Sequence, residues 1–352
     1  MSTKVRVMVV DDSPLVRQVL TRCLQSQGDI EVVAQASDAY VARDLLMKTN
    51  PDVLTLDIEM PRMDGLTFLK KVMHYRPMPV IIVSTLSGPH TAQTLEALAH
   101  GAFEAVEKPT SPDALAALSD TLCAIVREAA RSTAAKATRP VPAAAPPEAP
   151  SAGPRPDLIA IGASTGGTVA IEKLLLSLEA AVVPPIVISQ HMPAGFTAAY
   201  ANRINKLSPL DVREAVGGEV LVDGLVLIAP GGKHLTVERV NGQLRSRLLK
   251  TPTVNGHAPS VDVMFDSVAE VVGPRAFGAL LTGMGKDGAA GLLAMRKRDA
   301  LTIAQDEASC VVFGMPKAAI DLQAAVSVWP LDRIGQRIRL YARGTQPRAA
   351  TQ

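Results

Sequence analysis

Short apolar runs alternate with segments of helical period in two parts of the chain, and a proline-rich stretch separates them. In the first part Val5–Val10, Val32–Ala36, Val53–Leu56, Val80–Val83 and Ala102–Val106 read as buried strands. Between them apolar positions recur at the 3.6-residue spacing, as in Val16, Val19, Leu20, Cys23 and Leu24. Ser13 followed by Pro14 predicts the start of that helix: a capping hydroxyl, then proline at the first helical position. The second part repeats the scheme, with strands expected at Leu158–Ile161, Ile186–Ser189, Leu225–Ile228, Gly278–Leu281 and Leu301–Ala304. Strands alternating with helices predict parallel, doubly wound sheets, hence α/β domains over residues 1–127 and 157–345. The segment 128–156, with RPVPAAAPPEAPSAGPRP in it, has no apolar period, and its prolines bias it to an extended tether.

Such sheets collect their ligand site at the carboxyl ends of the strands. In the first domain those ends carry Asp11 and Asp12, then Asp57, Ser84 and Lys108. Three carboxylates on one edge repel unless a hard cation sits among them, and Mg2+ suits such a set. Asp57 is the natural nucleophile for a phosphoryl group, held as an acyl phosphate, and a lysine beside it could hold a phosphoryl oxygen.

The second domain opens with GASTGG at 162–167, between a strand and a helix. Gly162, Ser164 and Gly166 fit G-x-S-x-G, where small neighbours allow a strained turn that exposes a serine hydroxyl. A tight turn or a phosphate cradle would use similar residues. A dinucleotide fingerprint, however, needs glycine at 164, and a Walker loop needs a terminal Lys-Ser or Lys-Thr. His191 ends the next strand run and Asp287 lies in the glycine-rich loop after the fourth. Serine needs a base, and the imidazolium that forms needs a carboxylate. His234 and His257 compete for the first role, and Asp223, Asp262 and Asp266 for the second. Backbone N–H groups near Thr165 or in the Met284-Gly285 turn could stabilise an oxyanion. The chain order Ser, His, Asp differs from the Ser, Asp, His order of α/β-hydrolases.

Composition narrows the rest. At 352 residues, with net charge +2, the chain shows no basic footprint for nucleic acid. No apolar run approaches the length that spans a bilayer, and MSTKVRVMVVDD reaches paired aspartates too soon for a signal peptide. Cys23, Cys123 and Cys310 have neither disulfide nor metal spacing. The expectation is a cytoplasmic protein with reduced thiols that neither inserts into membranes nor binds nucleic acid.

VVDDS at 9–13, LDIEMPRMDG at 56–65, Ser84-Thr85 and Glu107-Lys108-Pro109 together resemble the receiver domain of two-component response regulators. That resemblance implies a flavodoxin-like fold, a Mg2+ site at Asp11, Asp12 and Asp57, phosphorylation of Asp57 by a histidine kinase, and contacts from Ser84 and Lys108 to the phosphoryl group. Ala105 departs from it, standing where many receivers carry a switch aromatic. In the second domain GASTGG, SQHMPAGFT at 189–197, APGGKHL at 229–235, PSVDVMFDSVA at 259–269, LTGMGKDGAAG at 281–291 and FGMPKAA at 313–319 resemble the CheB methylesterase family. This implies a Rossmann-like domain with the triad Ser164, His191 and Asp287, needing no cofactor for ester hydrolysis. The implied reaction is hydrolysis of glutamate γ-methyl esters on chemotaxis receptors, with release of methanol, and deamidation of receptor glutamines. It further implies that the unphosphorylated receiver packs over the catalytic cleft and that phosphorylation frees it. A DNA-binding regulator is disfavoured by the absence of a compact basic recognition helix. A non-catalytic receptor-binding adaptor is the alternative that Ser164→Ala would separate from an esterase.

Overall fold

The computed structural model describes residues 4–84, 90–108, 112–138, 155–178 and 183–342. The chain divides into two compact units, Met1–Pro140 and Val141–Gln352.

In the first unit, β1 (Val5–Val10), β2 (Ile30–Ala36), β3 (Val53–Leu56), β4 (Val80–Ser84) and β5 (Glu104–Glu107) form one parallel sheet. Its order is β2-β1-β3-β4-β5, so growth reverses direction between β1 and β3. The connecting helices are α1 (Pro14–Gln25), α2 (Ala39–Thr49), α3 (Gly65–Tyr75) and α4 (His90–Ala99), and α5 (Pro112–Thr138) follows the last strand. Val7, Met8, Val9, Leu54, Ile81 and Ile82 are wholly buried, as expected for strands covered on both faces. Ser13 caps α1 through its hydroxyl, which accepts from Val16 N–H, with Pro14 at the first helical position.

Residues 128–138 of the tether expected over 128–156 are helical. Helix α5 continues to Thr138, through an alanine-rich stretch whose residues favour helix. Residues 139–154 of that stretch, and 343–345 of the expected second domain, lie outside the described residues.

The second unit is built on β6 (Leu158–Ala163), β7 (Ile186–Gln190), β8 (Asp211–Glu214), β9 (Leu225–Ile228), β12 (Ala276–Leu280), β13 (Leu301–Gln305) and β14 (Ser327–Trp329). All pairings are parallel, in the order β14-β13-β12-β6-β7-β9-β8. An antiparallel hairpin, β10 (His234–Val240) and β11 (Gln243–Leu249), is inserted after β9. The helices are α6 (Gly167–Leu176), α7 (Phe196–Leu207), α8 (Val261–Val271), α9 (Ala289–Arg296), α10 (Met315–Asp321) and α11 (Leu331–Ala342). Helix α8 lays Met264, Phe265 and Val268, all wholly buried, into the core beside Leu158, Leu280 and Leu292. Each such side chain contributes about 1.5–3 kcal/mol over its exposed state. This packing fixes the ends of β6, β7 and β12, three adjacent strands, and the switch in growth direction falls between β6 and β12.

Candidate active site

The acidic edge of the first unit forms at its own switch point. Asp57 N–H donates to Val10 O at 2.9 Å, tying the end of β3 to the end of β1. Asp11 is held by Ser13 N–H, which donates to its Oδ1 at 2.9 Å. Asp11 and Asp57 are buried and Asp12 is exposed, yet one carboxylate oxygen from each lies within 4.8 Å of the others. Three hard oxygen donors at that spacing fit a magnesium ion and would suit a soft metal poorly. Lys108 reaches in from the end of β5, its Nζ 2.8 Å from Asp11 Oδ2 and 2.7 Å from Asp57 Oδ2. Its backbone N–H donates to Ser84 O at 3.0 Å, and Ser84 is wholly buried at the end of β4. Burial pushes the Asp57 carboxyl up to about 6, against the opposing pull of Lys108. Burial alone would lower Lys108, but its bonds to Asp11 and Asp57 outweigh that and hold its pKa above the usual lysine value. Gly65 follows from the same geometry: a Cβ there would sit 2.0 Å from Asp57 O. Ala105 lies in β5 opposite Ile82. Thr85 and Pro109 lie outside the described residues.

In the second unit β6 runs directly into Ser164. Ser164 N–H donates to Thr282 O at 3.0 Å and His191 N–H to Ala163 O at 3.2 Å, so the three strand ends are zipped together. The positive φ of this turn falls on the glycine and not on the serine. Ser164 is not among the residues with positive φ; Gly166 takes that conformation, at +76°. The helix that follows has Gly166 as its N-cap with no side-chain cap bond, so the Ser164 hydroxyl is not spent on capping. Gln190 fastens the turn from the side, its Nε2 donating to Ser164 O at 3.0 Å and to His191 O at 3.2 Å.

His191 and Asp287 form a buried pair, His191 Nε2 to Asp287 Oδ2 at 2.8 Å. The other ring nitrogen, His191 Nδ1, is buried with no hydrogen-bond partner. An imidazole held at one nitrogen by a carboxylate and open at the other can accept a proton from a hydroxyl. Asp287 is itself saturated with donors. Its Oδ2 also accepts Val261 N–H at 2.6 Å, and its Oδ1 accepts Asn255 Nδ2 and Ser260 Oγ, each at 2.8 Å. Burial would raise this carboxyl, but the bonds from His191, Asn255 and Val261 outweigh it and hold it well below the usual carboxylate range.

The rivals separate on geometry. His234 is wholly buried with both nitrogens engaged, Nε2 on Pro252 O at 3.1 Å and Nδ1 accepting Ser260 N–H at 3.1 Å. His257 stacks on the His191 ring. Asp223 pairs with Arg155 at 2.7 Å. Asp262 accepts Gly291 N–H and Asn255 Nδ2, each at 2.7 Å, and burial pushes its carboxyl up; Asp266 is pushed up for the same reason. Thr165 is buried and Met284 half-buried. Neither backbone N–H donates a hydrogen bond among the described residues.

A family model of the CheB methylesterase matches residues 159–338, and one of the response regulator receiver domain matches residues 7–120. The chain belongs to the CheB methylesterase family. It is 50% identical over 341 residues to protein-glutamate methylesterase/protein-glutamine glutaminase 4 of Anaeromyxobacter dehalogenans, covering 95% of this chain and 94% of that one. Identity to the protein-glutamate methylesterase/protein-glutamine glutaminase of Salmonella typhi is 49%, over 96% of each chain. The crystal structure of the Thermotoga maritima CheB methylesterase catalytic domain aligns at a TM-score of 0.51 and 38% identity, over 52% of this chain and 97% of that one. Three supporting residues of this CheB-family site were not singled out in the sequence: Gln190, Asn255 and Ser260. Asn255-Gly256 carried a readable signal, a turn dipeptide, and Ser260 another, a capping residue before the apolar period of α8.

Proposed function

We propose that the chain is a phosphorylation-activated protein-glutamate methylesterase that hydrolyses glutamate γ-methyl esters on chemotaxis receptors and deamidates receptor glutamines. The observation that carries this reading is the buried His191–Asp287 pair, with one open imidazole nitrogen, at strand ends hydrogen-bonded to that of Ser164. The near full-length relatives, which bear the methylesterase and glutaminase name, support the substrate class.

Ser164 attacks the ester carbonyl and passes its proton to His191 Nδ1, while Asp287 keeps Nε2–H in place and balances the imidazolium. Thr165 and Met284 N–H groups receive the developing oxyanion. The protonated His191 returns its proton to the leaving methoxide, releasing methanol, or to the leaving amide nitrogen of a glutamine, releasing ammonia. Water, activated by the same base, then releases the glutamate carboxylate.

In the receiver, Asp57 accepts a phosphoryl group from a partner histidine kinase, and Lys108 and Ser84 contact it. Asp11, Asp12 and Asp57 would hold Mg2+, which supplies charge neutralisation at the phosphoryl oxygens. The added anion biases the receiver toward a state that permits esterase activity, a population shift. The proposed setting is the cytoplasm. Among the described residues no helix is long and apolar enough to cross a membrane.

The test is methanol release from a methylated receptor fragment, with and without acetyl phosphate and Mg2+. Wild type releases methanol faster with the phosphodonor, Asp57→Ala does not respond to it, and Ser164→Ala releases none. Release by Ser164→Ala at the wild-type rate refutes the triad. No release by phosphorylated wild type refutes the esterase reading and leaves the adaptor.

A further inference from the structure

Asp287 restrains His191 at one nitrogen only, which leaves the ring free to tilt about that bond. A second restraint comes from a loop that the reaction does not otherwise use. The His191 and His257 rings lie face to face, with centroids 3.7 Å apart and planes inclined by 11°. Neutral aromatic rings prefer offset or edge-on packing, so this near-parallel stack is imposed by its surroundings.

The imposing frame is visible at both ends of the loop. At its base, His234 brackets the segment, bonded to Pro252 O and Ser260 N–H at 3.1 Å each. At its tip, Val254 and His257 exchange both backbone hydrogen bonds at 3.0 Å around Asn255 and Gly256. Asn255 and Gly256 have φ of +54° and +82°, the positive pair that a type I′ turn requires. Asn255 Nδ2 then ties the tip to the site itself, through Asp262 Oδ2 at 2.7 Å and Asp287 Oδ1 at 2.8 Å.

We propose that His257 is a positioning residue: the Asn255-Gly256-His257 turn lays its imidazole flat against His191 and fixes the plane of the ring whose Nδ1 takes the serine proton. The proposal rests on the methylesterase reading above. The stack also suits the charge that appears during reaction. A protonated His191 beside a neutral ring face is favourably placed, whereas two imidazolium rings at this distance repel. His257 stays neutral, because burial pushes it down to about 4, and a charged His191 adds to that effect while Asp287 opposes it.

The experiment compares full-length His257→Phe and His257→Leu with wild type, in the presence of acetyl phosphate and Mg2+. Phenylalanine keeps a flat ring; leucine fills space without one. Expected for His257→Phe is a kcat within about threefold of wild type. Expected for His257→Leu is a loss of about 10- to 100-fold in kcat with KM changed less than twofold, the scale of a misplaced catalytic group. A filler role predicts equal rates for the two variants, and equal rates overturn the proposal. A Phe variant as slow as the Leu variant overturns it too, because the imidazole nitrogens would then matter and the plane would not.

A second readout is the rate of Ser164 labelling by a fluorophosphonate from pH 5 to 9, which needs an activated serine and no receptor substrate. His257→Leu labels more slowly than His257→Phe across that range; equal labelling overturns the proposal. If wild type labels but releases no methanol, the substrate reading fails and the stacking test still stands. Should His257→Leu not fold, Asn255→Ala removes the tip anchor and lowers labelling at least threefold, and an unchanged rate is decisive against the idea.

Discussion

Replacing Asp287 by asparagine removes one charge and turns one acceptor into a donor, at a position where every neighbour donates. The five groups around the carboxylate are His191 Nε2 and Val261 N–H on Oδ2, and Asn255 Nδ2, Ser260 Oγ and Asp262 N–H on Oδ1. Either orientation of the new amide sets its NH2 against at least one N–H that cannot reverse. Turned toward Val261 and His191, it also invites His191 to present Nε2 as an acceptor and carry its proton on Nδ1, the tautomer that cannot take a proton from Ser164. Breaking a buried pair by removing one charge costs about 3–5 kcal/mol. If that loss is felt in the transition state, at about 1.4 kcal/mol per decade, kcat falls by about two to nearly four decades. Folding suffers as well, by about 1–3 kcal/mol for the unsatisfied backbone donor. The sign with pH follows from the depressed carboxyl. Its stabilising contribution is complete above the unfolded value of 3.8 and is lost as pH falls toward the lower folded value. Methanol release and thermal melts of wild type and Asp287→Asn test this together. At pH 7 the variant melts lower, and at pH 3 the gap between the two narrows. A kcat within threefold of wild type would refute the role given to Asp287, and a gap that widens on acidification would refute the electrostatic account.

Two further outcomes follow from the close geometry. Asp57 is pushed up to about 6 from 3.8, so between those values the folded chain holds more protons than the unfolded one, and stability falls by about 3 kcal/mol as pH rises through that window. A cation selects the ionised carboxylate, so Mg2+ affinity measured by calorimetry should climb from pH 5 to 7 and then level, and Asp57→Asn should abolish the climb; a flat wild-type profile contradicts this. In the esterase unit, a Cβ on Gly167 would meet Gln190 Oε1 at 2.1 Å and Ala163 Cβ at 2.6 Å. Gly167→Ala should therefore dislodge Gln190 from Ser164 O and His191 O and cost about 1–3 kcal/mol, with slower methanol release; an unchanged melting temperature and rate would show the turn to be more pliant than its packing indicates.

The long buried strands were readable because they are covered on both faces and leave an uninterrupted apolar run, as in LIAI at β6 or IVIS at β7. Strands β8 and β14, DVRE and SVW, are short edge strands, half-exposed, with no such run to read. The β10–β11 hairpin carries a legible sign of its own, Asn241-Gly242 between alternating residues. Ser164, His191 and Asp287 could be proposed from strand ends, which alone left three histidines open, and the family resemblance favoured His191. His234 and His257 sit in equally plausible motifs, and their long-range hydrogen bonds and ring stack cannot be read from spacing. The extent of α5 was hidden for a local reason: an alanine-rich tail that favours helix runs into proline without a change in polarity.

The reversal of sheet growth between β6 and β12 has a consequence in time. Synthesis from the N-terminus makes β6 and β7 early, and with them Ser164 and His191, the proposed nucleophile and base. The carboxylate comes 96 residues after the imidazole, in the loop that follows β12, the strand on the other flank of β6. Neither half of the sheet contains the whole proposed triad, so the proposed activity needs both halves. In refolding, catalytic competence therefore returns only after a closure of high sequence separation, later than the helices and local strand pairs that dominate the early circular dichroism signal. On the proposed triad, enzyme activity is in this sense a reporter of a long-range step of folding.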